Sequence, residues 1–167
     1  MKSLIATICI VSIIGLTMGF VTRADEEPIT ATVTPINISI NRSVGDGSIA
    51  YGYVDLNTEA DSTAEVQTYN NNGNQAAEVD VATSNAVDGT DWIPDTANSV
   101  QDHYIHSFST TSPQTWQILD AAASYEFAST TMDVGANLDI YLKIKTPQSV
   151  TAYDAKTITV TVRASAI

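Results

Sequence analysis

An all-β fold, a single antiparallel β-sandwich, is predicted for most of this chain by three observations. Apolar residues recur with period two in segment after segment. Asn, Asp, Gly, Ser and Thr cluster between those segments. Beyond residue 24, the sustained apolar spacing of three and four that a helix needs is missing, apart from a short turn around residues 120–123.

Residues 1–24 read as a cleaved signal peptide. Lys2 supplies the positive start, the stretch from Leu4 to Phe20 is almost wholly apolar, and Thr22 and Ala24 are small enough for cleavage before Asp25. Two alternatives keep the segment: a membrane helix over residues 3–21, which approach spanning length, or a pilin-type helix packed in a filament core. With cleavage, residues 25–35 form an extended N-terminal segment and residues 36–167 the sandwich.

The stretch "ITATVTPINISI", residues 29–40, changes phase. Ile29, Ala31 and Val33 occupy odd positions and Ile36, Ile38 and Ile40 even ones, with Pro35 between them. One strand would put the two sets on opposite faces. Pro28 and Pro35 bracket the first set, and proline donates no ladder hydrogen bond, so both act as hinges. The stretch therefore reads as two short strands, each with its own buried face.

Further along, Ile49, Tyr51 and Tyr53 alternate against Ala50, Gly52, Val54 and Leu56, which predicts a strand covered on both sides. Asp46-Gly47 and "NNNGN" (residues 70–74) read as hairpin turns, the latter joining strands at residues 66–69 and 76–81. Tyr104, His106 and Phe108 share a face, with Trp116 and Ile118 following a Ser/Pro turn. Leu138, Ile140, Leu142 and Ile144 make a strong strand, and Ile158, Val160, Val162 and Ala164 another. The total is eight to ten short strands. Residues 83–101 make the longest irregular stretch.

The formal net charge is −12. Without Lys2 and Arg23, five basic residues face 19 acidic ones, a balance near −14. That disfavours nucleic acid and anionic membrane surfaces, which take clustered Lys and Arg. The single cysteine, Cys9, lies in the signal segment, so the mature chain folds without disulfides, and no membrane contact is expected after cleavage.

Few side chains carry catalytic or ligating patterns. An offset of three puts His103 and His106 on opposite faces of a strand, which disfavours a shared metal. No nucleophile elbow or acid–base pair is visible, so the chain is not read as an enzyme. Asp88, Asp91 and Asp95 offer carboxylates to Ca²⁺ but lack EF-hand spacing, and aspartate is also a common turn residue. No other cofactor is expected. Trp92 reads as a sugar-stacking platform or a core plug. Asn37 and Asn41 head glycosylation sequons and point away from the isoleucine face.

"ATVTPINISI", "IAYGYVDLNT", "NNNGN" before a strand, "HSFSTTSPQTW" and "LKIKTPQSVTAYDAKTITVTVRA" resemble small secreted modules of bacterial and archaeal cell surfaces. More loosely, the layout is similar to donor-strand fibre subunits such as the TasA-like and archaeal bundling-pilus proteins. The resemblance implies an Ig-like or jelly-roll sandwich in an exported structural or adhesive protein. The expected function is a subunit of an extracellular fibre, pilus or surface layer. Its partners are copies of itself, joined head to tail as Ile29, Ala31 and Val33 of one copy add a strand to the next. The alternative is a monomeric secreted adhesin or carbohydrate-binding module that uses residues 83–101 and Trp92.

Overall fold

Strands form here where alternating apolar residues meet a second layer that covers them. The computed structural model describes residues 34–97 and 100–167, and Pro35–Ile167 form one compact unit. The signal segment, Pro28 and the face of Ile29, Ala31 and Val33 lie outside the described residues.

Ten strands and no helix occur among the described residues: β1 (Ile40–Val44), β2 (Glu59–Asp61), β3 (Gln67–Asn71), β4 (Ala77–Thr83), β5 (Ile93–Pro94), β6 (His103–Ser109), β7 (Gln117–Leu119), β8 (Tyr125–Met132), β9 (Asn137–Lys145) and β10 (Val160–Ala166). They build two mostly antiparallel sheets, consistent with a β-sandwich. In the larger sheet β9 is central, flanked by β3 and β2 on one edge and by β6 on the other. β1 lies outside β3, and β6 carries β7 and the parallel β5 on its far edge. The smaller sheet has three strands in the order β10-β4-β8.

Both sheets feed one core. Val81 from β4, Phe108 from β6, Leu119 from β7 and Ile140 and Leu142 from β9 are buried together, with Val160 and Val162 of β10 packed against them. The strands with the strongest alternation behave as the sequence predicts: Tyr104, His106 and Phe108 are buried on one face of β6, and Ile140, Leu142 and Ile144 on one face of β9. Of these, Phe108 and the aliphatic side chains each stabilise the fold by about 1.5–3 kcal/mol when fully buried.

Three expectations are corrected. The "NNNGN" segment is not a hairpin, because β3 pairs with β1 and β9 whereas β4 pairs with β10 and β8. It carries the chain from one sheet to the other, and Asn71 is the reason. Its side chain is fully buried and donates to the carbonyls of Gln75 (3.0 Å) and Met132 (2.8 Å), while its Oδ1 accepts from the Gly73 amide at 3.0 Å. These bonds turn the backbone away from β3 and tie it to the end of β8.

The set Ile36, Ile38 and Ile40 does not form a buried strand face. Ile36 is 71% exposed, and residues 37–39 instead run along the crossing, where Ser39 and Asn37 carbonyls accept from the amides of Asn72, Gly73 and Asn74. A side chain at Gly73 would collide with the Asn37 carbonyl, so only glycine allows this approach. Residues 49–56 are likewise not a strand. Ile49 and Tyr51 are half-buried, but Tyr53 projects fully into solvent. Gly45 and Gly47 bend the chain with positive φ of 87° and 83°, and the segment that follows finds no ladder partner. In β7, Leu119 is buried and Ile118 exposed.

Replacing Asn71 with alanine would leave the buried Met132 carbonyl without its partner and remove all three side-chain bonds. The expected loss is about 3 kcal/mol of unfolding free energy, read as a lower denaturant midpoint at unchanged slope.

Candidate functional site

Strand β10 pairs with β4 through seven consecutive residues, Val160↔Thr83 to Ala166↔Ala77, with no shift in register. Its other edge has no ladder partner among the described residues. β8, at the opposite end of the small sheet, also pairs with β4 alone, but two register shifts break that pairing. Bulged edges resist strand addition and straight ones invite it, so the edge of β10 is the better template.

A cavity of about 110 Å³ lies beside this edge. Its floor comes from the large sheet, through Gln67 and Tyr69 of β3, Ile140 and Leu142 of β9 and His106 of β6. Ile158, Val160 and Val162 border it from the β10 side, all on one face of an extended chain. Ile49 and Tyr51, also spaced by two, border it from the unpaired segment. No residue of β4 or β8 lines it. The cavity thus occupies ground that a strand added beyond β10 would cover.

Two polar atoms among its lining residues, His106 Nε2 and Tyr51 Oη, are buried without a hydrogen-bond partner. His106 is fixed from its other side by Thr83 Oγ1, 2.7 Å from Nδ1. Thr83 Oγ1 also lies 3.3 Å from Tyr104 Oη, and Tyr104 donates to the Ser84 carbonyl at 2.6 Å. Because the Tyr104 hydrogen is committed there, its oxygen can only accept from the Thr83 hydroxyl, so His106 Nδ1–H donates to Thr83 Oγ1 and Nε2 carries the lone pair. Burial holds the His106 imidazole down to about 4, pushes the Tyr104 phenol up to about 12, and raises Tyr51 further. All three side chains are therefore neutral at physiological pH.

The other sequence-predicted positions are dispersed. Asp88, Asp91 and Asp95 are not brought into a metal-binding group, and no cluster of three or more His, Cys, Asp or Glu able to hold a metal occurs among the described residues. The Asp95 carboxylate instead takes His103 Nδ1 at 2.9 Å and the Thr96 amide, and the His103 bond holds it below the usual carboxylate range. Lys156 reaches the backbone carbonyl of Asp88. Trp92 packs against the Ala86–Tyr104–Ile144 cluster, with Lys156 Nζ 5.8 Å from its ring centre, so it plugs a small core. Asn37 and Asn41 are exposed, as their phase implies. Pro35 is exposed, and its carbonyl accepts from the Asn74 side chain at 2.8 Å, which fixes where the N-terminal segment leaves the domain.

Residues 83–101 are less irregular than expected, since Ala86 and Trp92 form an antiparallel bridge and β5 joins β6. Part of this stretch, Ser84, Asn85, Val87 and Asp91, walls a cleft of about 380 Å³ with Tyr125 of β8 opposite. No protein-family model matches the chain, and no curated protein matches it in sequence.

His106 gives the domain a pH dependence. Its folded value of about 4 lies below the ordinary 6.5, so the unfolded chain takes up the proton first. Stability is then lost as pH falls from about 6.5 to about 4 and changes no further from this group below that, by about 3 kcal/mol in all. The lowered carboxylates Asp61, Asp95 and Asp102 lose their contribution only as pH falls below their usual 3.8. Urea unfolding at pH 7 and pH 4.5 should show the loss in the native chain and a much smaller one in His106→Phe.

Proposed function

We propose that this chain is an exported structural subunit of an extracellular fibre or surface layer. Residues 29–34 of one copy add to the free edge of β10 in the next, burying Ile29, Ala31 and Val33 over the floor formed by β3, β9 and β6. The reading is of an Ig-like sandwich that completes its small sheet with a strand from a neighbour. The observation that carries it is the straight β10 edge, without a ladder partner among the described residues, beside a cavity between the sheets. Backbone hydrogen bonds along that edge would hold the strand, and the alternating apolar set would fill the space beneath it.

Further support comes from chemistry. The bond from Asn74 to Pro35 holds the domain end of the segment proposed as donor. A contact made head to tail repeats without closing and gives a filament. No disulfide is available to the mature chain, so strand exchange would supply the strength between subunits. The acidic balance disfavours nucleic acid as a partner, and the signal pattern of residues 1–24 supports export. No catalytic or metal role is assigned.

The cleft formed by residues 83–101 and Tyr125 favours a second reading, a monomeric adhesin or carbohydrate-binding module. Tyr125 and the hydroxyls of Ser84, Thr159 and Thr161 line it, a mixture that suits a neutral sugar. Trp92 has no part in it.

Purified mature chain should form filaments visible by electron microscopy, and the form lacking residues 25–35 should remain monomeric. A synthetic peptide of residues 28–35 should bind that truncated domain and cap growth of the intact one. The same peptide with Val33→Asp should bind at least tenfold more weakly, since it carries a charge into the buried face. An intact chain that stays a compact monomer under all conditions, with a free peptide that binds nothing, would overturn the assembly reading.

A further inference from the structure

The strand-donor reading fills the β10 cavity from outside the subunit, but the cavity has a chemistry of its own. Its lining is about half aliphatic, with Ile140, Leu142, Val160 and Val162 beside Gln67 and two tyrosines. Into this the geometry of Thr83 and Tyr104 directs a neutral imidazole whose Nε2 carries a lone pair and meets no donor among the described residues. Tyr51 Oη lines the same space and is also unpartnered among the described residues. A buried polar atom left without a partner is disfavoured by about 1–3 kcal/mol, and such groups are rare in folded proteins.

We infer that this cavity in the free subunit is a binding site for a small neutral molecule that carries one hydroxyl group on a short apolar body. The hydroxyl donates to His106 Nε2, and the apolar part lies against the isoleucine, leucine and valine walls. Size selects the body. A dry cavity of about 150 Å³ accommodates benzene, so about 110 Å³ suits a molecule somewhat smaller, of four or five carbons. A single water would take roughly 30 Å³ and leave most of the apolar wall facing a void. Charge selects the head group. An anion would lose its hydration to a neutral imidazole and hydrocarbon, which disfavours carboxylates.

The test uses 1-butanol, sodium butyrate and xenon as probes of the monomeric mature chain at pH 7, followed through the imidazole nitrogens of His106 by NMR. A saturable shift with 1-butanol, at least tenfold weaker with butyrate, is expected. Xenon should leave Nε2 unshifted, since it offers no hydrogen-bond donor. Tyr51→Phe and His106→Phe should each weaken 1-butanol binding, the latter at least tenfold. The inference is overturned if 1-butanol gives no saturable shift, if butyrate matches it, or if a long-lived water on Nε2 persists unchanged at high 1-butanol. Should His106→Phe fail to fold, the probe comparison on the native chain decides. Because the measurement uses the monomer alone, it stands or falls separately from filament formation.

Discussion

A three-stranded sheet is too narrow to cover the broader sheet built around β9, and the rest of the molecule is organised around that mismatch. β4 sits between β10 and β8 and seals the middle of the sandwich with Val79 and Val81, both fully buried. Beside β10, Ile140, Leu142 and His106 of the large sheet line a cavity over which no paired strand lies among the described residues. Residues 47–53 pass over this ground without joining a ladder, and they leave a space instead of a packed layer. Interiors normally close to the density of organic crystals, so an opening at the edge of a sheet is a place where another element fits.

The mismatch traces back to the crossing at Asn71. Had "NNNGN" closed a hairpin, β4 would have joined the sheet of β3, and the second layer would have lost its central strand. The buried amide of Asn71 prevents this by bonding Gln75 and Met132, the latter at the far end of β8. Asn74 then fixes Pro35 and Asn37, so the same five-residue crossing sets both the sheet switch and the exit of the N-terminal segment. Asparagine serves both purposes because its amide donates and accepts at once.

Strongly alternating strands were legible from residues alone. β6, β9 and β10 declare themselves by four-fold or near four-fold alternation of Ile, Leu, Val and aromatics; β6 and β9 bury the face their phase indicates, and that of β10 is half-buried. β8, with "YEFASTTM", was not legible, because Ala, Ser and Thr blur the alternation and Phe127 is 58% exposed on the outer face. The hairpin at residues 70–74 misled because Asn-Gly turns look alike in sequence whether they join neighbours in one sheet or switch sheets; the difference lies in what a buried side chain bonds at long range. Residues 49–56 carry good strand periodicity yet lack a partner, and no local pattern reports a missing neighbour. The cavity was hidden for the same reason, although His106 was correctly placed on a face with Tyr104 and Phe108. Asp88 and Asp91 lie in the loop closed by the Ala86–Trp92 bridge while Asp95 is held by His103, and neither contact is revealed by spacing.

The central claim is that the outer edge of β10 is open in the single subunit and filled by a strand in the assembly. Amide hydrogen exchange read by mass spectrometry on the monomer and on the assembled form tests it most directly. Outward-facing amides of residues 160–166 should exchange quickly in the monomer and become protected by at least a hundredfold on assembly, with residues 29–34 protected in step. Slow exchange along β10 in the monomer, or no change there on assembly, would contradict it.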